Sequence, residues 1–121
     1  MSAKDPLPLE PRRCSRLLKV LADSDRLRII EVLRAGPLCV TDVAERLALT
    51  LAMASHHLRI LRTSGFVEDA KQGRHVAYSL APEFFPADQS AEPMIQLGCC
   101  QLQLPAARPR KPAGSRADRG R

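Results

Sequence analysis

The feature that most constrains this chain is a change of period at Ser64-Gly65. Before that point apolar residues recur at helical spacing through several consecutive segments. After it, Phe66-Val-Glu-Asp-Ala70 and His75-Val-Ala-Tyr-Ser-Leu80 are short β-prone runs. Lys71-Gln-Gly-Arg74 lies between them and suits a hairpin turn. Helices followed by one small hairpin predict a mainly α fold with a minor β part, of the α+β class. A length of 121 residues suits one domain and hardly more.

The helical segments can be placed individually. Leu17, Leu18, Val20 and Leu21 predict a helix over 10–21. A second begins at Ser24 or Asp25, both good N-cap types, and Gly36-Pro37 stops it. Its stripe is Leu27, Ile30 and Leu33, widened by Ile29 and Val32. A short helix from about Val40 to Leu47 puts Val40, Val43 and Leu47 on one face, with Ala44 beside them. Ala48-Leu-Thr50 then makes a tight turn, and Thr50 can cap a helix running from Leu51 to Thr63. The inner stripe of that helix reads Leu51, Ala54, Leu58 and Leu61, and its other face shows Ala52, Ser55, His56, Arg59 and Arg62.

A short helix, a tight turn and a second helix with a polar outer face make a helix-turn-helix. With the hairpin after it as a wing, this order predicts a winged helix-turn-helix. Small and polar side chains let a helix backbone enter the major groove of double-stranded DNA and reach base edges. Thr50, Ala52, Ser55 and His56 are the candidate groove residues, and Arg59 and Arg62 are better placed for phosphates. Lys71 and Arg74 flank Gly73 at the wing tip, where they suit phosphate or minor-groove contact. The plainer reading is a polar helix face and a charged hairpin tip with no partner; the wing in the right order weighs against it. The adjacent His56 and His57 point in different directions on a helix, so they are not read as a metal pair.

Charge adds little to this argument. The net charge is +6, but residues from Arg108 onward supply +5 of it. Segments 1–9 and 105–121 mix proline with charged and small residues and are expected to be disordered. That leaves 10–80 as the DNA-binding domain and 81–104 as a C-terminal extension. The basic tail could add nonspecific attraction to DNA or none. No apolar run is long enough for a membrane span, and 1–11 does not read as a signal peptide. A cytoplasmic location and free thiols at Cys14, Cys39, Cys99 and Cys100 are therefore expected. No paired-carboxylate motif, phosphate loop or nucleophile elbow points to an enzyme. A protein-interaction module remains the competing class.

Five stretches together closely resemble the ArsR–SmtB family of winged-helix metalloregulators. They are Leu21-Ala-Asp-Ser-Asp-Arg-Leu-Arg-Ile-Ile30, Leu38-Cys-Val-Thr-Asp42, Ser55-His-His-Leu-Arg-Ile-Leu-Arg62, Gly65-Phe-Val67 and Gly73-Arg-His-Val-Ala-Tyr78. The resemblance covers roughly Leu17 to Leu80. It implies a homodimeric repressor on a near-palindromic operator, released when an inducer, usually a metal or metalloid ion, binds. It places Ser55 and His56 at base-contacting positions and Arg74 in the wing.

Three departures from the family pattern bear on sensing. The family's Cys-Val-Cys-Asp motif is here Cys39-Val-Thr-Asp42, and Thr41 is a poor ligand for a soft metal. No histidine follows His75, which argues against the carboxylate–histidine zinc sites of many members. Gly98-Cys-Cys100 is an addition to the common pattern. Cys99 and Cys100, with Cys39 or Cys14, form the candidate thiolate site for arsenite or a soft divalent metal. Residues 95–104 partly alternate and read as one extended segment, so the two sulfurs converge only if Gly98 supplies a kink. Oxidation or persulfidation of the same thiols is the redox alternative. The plain alternative is that they are small buried hydrophobes, Cys14 above all.

Overall fold

In the computed structural model, residues 11–86 and 94–103 are described. The lead-in 1–9 and the tail 105–121 lie outside the described residues. Four helices come first: α1 (Pro11–Leu21), α2 (Ser24–Leu33), α3 (Val40–Leu47) and α4 (Leu51–Ser64). A two-residue strand, β1 (Leu38–Cys39), precedes α3. The wing is β2 (Val67–Gln72) and β3 (His75–Leu80), followed by β4 (Met94–Gln96) and β5 (Gln101–Gln103). β3 is the middle strand of an antiparallel sheet, order β1-β3-β2, and β4 and β5 form a separate hairpin. The architecture is a winged helix-turn-helix with a second hairpin appended.

One apolar core joins these parts. Ile29, Ile30, Leu33, Val43, Leu47, Ala54, Leu58, Leu61 and Phe66 are buried at its centre. The C-terminal segment belongs to the same core: Phe84, Ile95 and Leu97 are each at most 2% exposed. Phe66 and Phe84 stack at 4.6 Å between ring centroids. The Ala81 amide donates to the Phe66 carbonyl and the Gln96 amide to that of Phe84. Residues 81–86 and 94–103 are thus packed onto the helical unit.

Several sequence expectations change in detail. Leu51 and Leu27, assigned to inner stripes, are 53% and 41% exposed, and Leu18 of α1 is 38% exposed. The wing turn is shorter than expected, because pairing runs on to Gln72 opposite His75. Gly73 takes φ 63° at the first central position, which only glycine adopts at little cost. The extended segment expected over 95–104 instead folds back on itself. Gly98, at φ 87°, turns it, and the Leu97 amide donates to the Cys100 carbonyl.

The start of α2 also differs. Asp23, rather than Ser24 or Asp25, is its N-cap. Its Oδ1 accepts from the amides of Asp25 (2.9 Å) and Arg26 (3.1 Å). A carboxylate takes two amide protons there and meets the positive end of the helix dipole. The Arg26 amide bond, helped by the nearby Arg26 and His57 charges, holds the Asp23 carboxyl below its ordinary range against an opposing effect of burial.

A depressed carboxyl stabilises the fold above its unfolded pKa, and that contribution is lost as pH falls through the folded value. Asp23→Ala is expected to cost about 1 kcal/mol in urea unfolding at neutral pH. Asp23→Asn should keep most of the cap while flattening the acid limb of stability against pH. An acid limb identical to wild type in Asp23→Asn would show that the cap charge contributes nothing.

Candidate nucleic-acid interface and thiol cluster

The turn between α3 and α4 is fixed by local chemistry. Ala48 adopts a left-handed conformation, φ 58°, and its amide closes α3 on Ala44 and Glu45 carbonyls. Arg28 of α2 donates to the Leu47 carbonyl at 2.9 Å, satisfying another helix-end acceptor. Thr50 accepts the Met53 amide at 3.0 Å and so caps α4. Its oxygen accepts in this bond, and its O–H is left able to donate from an exposed position.

Along α4, Ala52, Ser55, His56 and Arg59 follow the i, i+3, i+4, i+7 spacing of a single helix face. Ala52, His56 and Arg59 are exposed and Ser55 is half-buried. The opposite face carries Ala54, Leu58 and Leu61 into the core. Arg62 lies at the far end of α4 and pairs with Asp69 of β2 at 3.5 Å, tying the helix to the wing. Lys71 and Arg74 are exposed at the wing tip. Arg59, Lys71 and Arg74 form no ion pair among the described residues. Three uncompensated cations thus border a helix face made of small and polar side chains.

His57 points the other way from His56. It is 8% exposed, and its Nδ1 lies 3.1 Å from the Arg26 guanidinium. Nε2 is 3.8 Å from Asp25. Arg26 also donates to the Val20 carbonyl at 2.6 Å and pairs with Asp23 at 3.8 Å. The ligand-type atoms of Asp23, Asp25 and His57 lie within 4.8 Å of one another. The Arg26 cation already occupies that neighbourhood, so the group is a brace between α2 and α4 and does not suit a metal ion.

The cysteines divide into two places. Cys39 precedes α3 with its Sγ 3.0 Å from the Thr41 hydroxyl and 3.3 Å from Asp42. It takes no part in the sulfur cluster found at the start of α1. There Cys14 and Cys99 form a disulfide, with their Cα atoms 6.1 Å apart. This corrects the expectation of four free thiols. The Gly98 turn brings Cys99 to α1, where Arg13 holds the turn by donating to the Leu97 carbonyl at 3.3 Å. Cys100 keeps a free thiol, 3.8 Å from the Cys99 sulfur. Of the two partners the sequence offered for Cys99 and Cys100, the structure brings up Cys14 and leaves Cys39 apart. Cys14, Leu17 and Leu21 share one stripe of α1, all buried.

Comparison with known proteins places this geometry. The profile of bacterial regulatory proteins of the arsR family matches residues 23–69. The cadmium resistance transcriptional regulatory protein CadC homolog of Staphylococcus aureus is 41% identical over 81 residues, 66% of this chain and 67% of that protein. The chain belongs to the ArsR–SmtB family. Members of this family are transcriptional regulators, not enzymes. The regulator NmtR of Mycobacterium tuberculosis is 41% identical over 76 residues, covering 60% of this chain and 63% of NmtR. The family fold also matches a solution NMR structure, the homodimeric winged helix-turn-helix DNA-binding domain of a Mycobacterium bovis protein. Its TM-score is 0.57 at 32% identity, covering 60% of this chain and 67% of that one. These matches leave about a third or more of each relative's length unmatched.

The Arg26–His57 brace makes a checkable prediction. Arg26→Ala and His57→Ala should each destabilise the fold. In the double variant the effects should fall short of additivity by about 0.5–3 kcal/mol, as for groups in direct contact. Strict additivity in urea denaturation would show that the two side chains stabilise the fold independently.

Proposed function

We propose that this ArsR–SmtB member is a repressor that binds double-stranded operator DNA as a homodimer and leaves it when an inducer binds thiolates. The observation that carries the DNA reading is the outward face of α4, with Ala52, Ser55, His56 and Arg59 beside a wing tip bearing Lys71 and Arg74. Ser55 and His56 read base edges, and Ala52 lets the backbone approach. Arg59, Lys71 and Arg74 hold phosphates. Thr50 caps the recognition helix and offers its O–H to the DNA. Arg62 reaches a phosphate while it steadies the wing through Asp69.

A homodimer sets two such helices about 34 Å apart, one turn of DNA. The homodimeric Mycobacterium bovis neighbour supports that assembly. Residues 10–80 form the DNA-reading unit and 81–104 the sensing extension. The inducer is a metal or metalloid ion that favours sulfur, such as arsenite or a soft divalent cation. The cadmium-resistance relative favours this over a purely redox signal. Among the predicted ligands, Cys99 and Cys100 remain the core of the site. Cys39, with a hydroxyl and a carboxylate for neighbours, offers a single soft donor. A cytoplasmic location is the one this role requires, since the operator DNA is there.

Fluorescence anisotropy of a duplex from the gene's own upstream region tests the proposal. Ser55→Ala with His56→Ala should lower discrimination between operator and random DNA by about 1–3 kcal/mol per lost base contact. Lys71→Ala and Arg74→Ala should each weaken binding to all sequences and reduce the salt slope by about 1. Unchanged operator affinity in the Ser55/His56 double variant would remove α4 from base reading. Absence of any salt-sensitive operator preference would put the protein-interaction reading first.

A further inference from the structure

Three sulfurs meet where the C-terminal hairpin rests on α1. The Sγ atoms of Cys14, Cys99 and Cys100 all lie within 4.8 Å of one another. Cys14 is buried, and Cys99 and Cys100 are half-buried, so the cluster is recessed but reachable. Thiolates each bonded to one ion at about 2.3 Å stand about 3.8 Å apart in tetrahedral geometry. The Cys99–Cys100 separation is 3.8 Å. Adjacent residues on a regular strand diverge, and here the Gly98 turn removes that obstacle.

We infer that Cys14, Cys99 and Cys100 of one subunit form a three-thiolate site for a sulfur-seeking ion, and that the Cys14–Cys99 disulfide closes it. The inference rests on the inducible-repressor reading for its purpose, but the site itself needs no DNA. With arsenite as the ligand, As(OH)3 and three thiols give one As(SCys)3 centre and three waters. Three As–O and three S–H bonds break, three As–S bonds and three O–H bonds of the released waters form, and arsenic stays trivalent. The disulfide form has only the Cys100 thiol and cannot make this centre. A dithiol reductant opens it by thiol–disulfide exchange, taking up the sulfur–sulfur bond as its own disulfide and leaving Cys14 and Cys99 as thiols. Ion binding is therefore conditional on reduction of the same residues.

The ligands come from both ends of the fold. Cys14 stands in the first half of α1, and Cys99 and Cys100 lie 85 and 86 positions later. Arg13 strengthens the junction by its bond to Leu97 and its ion pair with Glu83 at 3.7 Å. An ion or a disulfide at this point staples the hairpin to α1.

The test uses the full chain without DNA. Protein reduced with a phosphine is titrated anaerobically with sodium arsenite, and free thiols are counted after quenching with a thiol reagent. Adducts are followed by intact mass. Reduced wild type should form a 1:1 adduct with three of its four thiols protected, and Cys39→Ser should still protect three. Cys14→Ser, Cys14→Ala and Cys100→Ser should each lose three-thiol protection, falling to two at most. Oxidised wild type should form no adduct until reduced. Cys100 lies outside the disulfide and is half-buried, so its variant keeps the test sound if the Cys14 variants fail to fold. Full protection in Cys14→Ser or Cys100→Ser, loss of protection in Cys39→Ser, or equal binding by the oxidised protein would overturn the site. Operator binding by reduced protein is measured separately: its retention alongside failed arsenite binding overturns this inference alone, and its absence alongside normal arsenite binding overturns the repressor reading alone.

Discussion

The inner face of α4 is the constraint on which the rest of the structure depends. Ala54, Leu58 and Leu61 are fully buried there, and Phe66 continues the same core just past the Gly65 cap. Each large apolar side chain of this kind is worth about 1.5–3 kcal/mol in transfer from water. Rotating α4 by one position would expose this set, so burial fixes which residues look outward. The outward positions Ala52, Ser55, His56 and Arg59 are small or polar, although Leu51 and Met53 are also exposed in the first turn of the helix. Its orientation relative to the wing is fixed as well, since Phe66 and Val67 leave the helix already inside the core.

Polar groups secure what apolar burial leaves loose. The core is non-directional, so it does not by itself set how α2 lies along α4. The His57 ring does, because its Nδ1 is met by Arg26 and its Nε2 faces Asp25. A buried imidazole needs such partners to offset its desolvation. Residues beside them finish helix ends: Asp23 caps α2 and Arg28 takes a terminal carbonyl of α3. Specification therefore comes from one short stretch, 23–28, that lies inside the family match.

Legibility in the sequence followed the range of the interactions. The α3-turn-α4 unit could be read because its causes are local: Thr50 as a cap, Gly65 as a terminator, and the 54-58-61 spacing. The wing could be read because Gly73 and alternating residues sit together. What escaped were contacts between distant positions. β1 is two residues long and exists only because β3 pairs with it, Leu38 opposite Tyr78. The turn at Gly98 was foreseeable as a kink, but its docking on α1 was not. Nothing near Cys99 in the chain announces Cys14, and the hydrophobic spacing of 14, 17 and 21 acquires meaning only beside Leu97. Leu27 and Leu51 show the converse error, since apolar character at a helical stripe position does not ensure burial.

A continuous set of contacts connects the sulfur cluster with the end of α4. Leu97 and Ile95 lie in the core with Leu17 and Leu21 of α1. Phe84 stacks on Phe66, and its ring would stand 3.3 Å from a Cβ placed at Gly65, the cap of α4. Contiguity of this kind does not itself make a switch. A ligand changes operator affinity only by binding the free and the operator-bound conformations unequally. A useful response needs about 1–3 kcal/mol of such coupling. If the hairpin lay against α1 in the same way in both conformations, an ion could bind tightly and leave repression untouched. The decisive property is therefore the difference in sulfur geometry between the two states. The junction can supply one, because its ligands sit on two separately held elements, α1 and the β4–β5 turn, and any shift of α1 in the dimer changes the distance from Cys14 to Cys99 and Cys100.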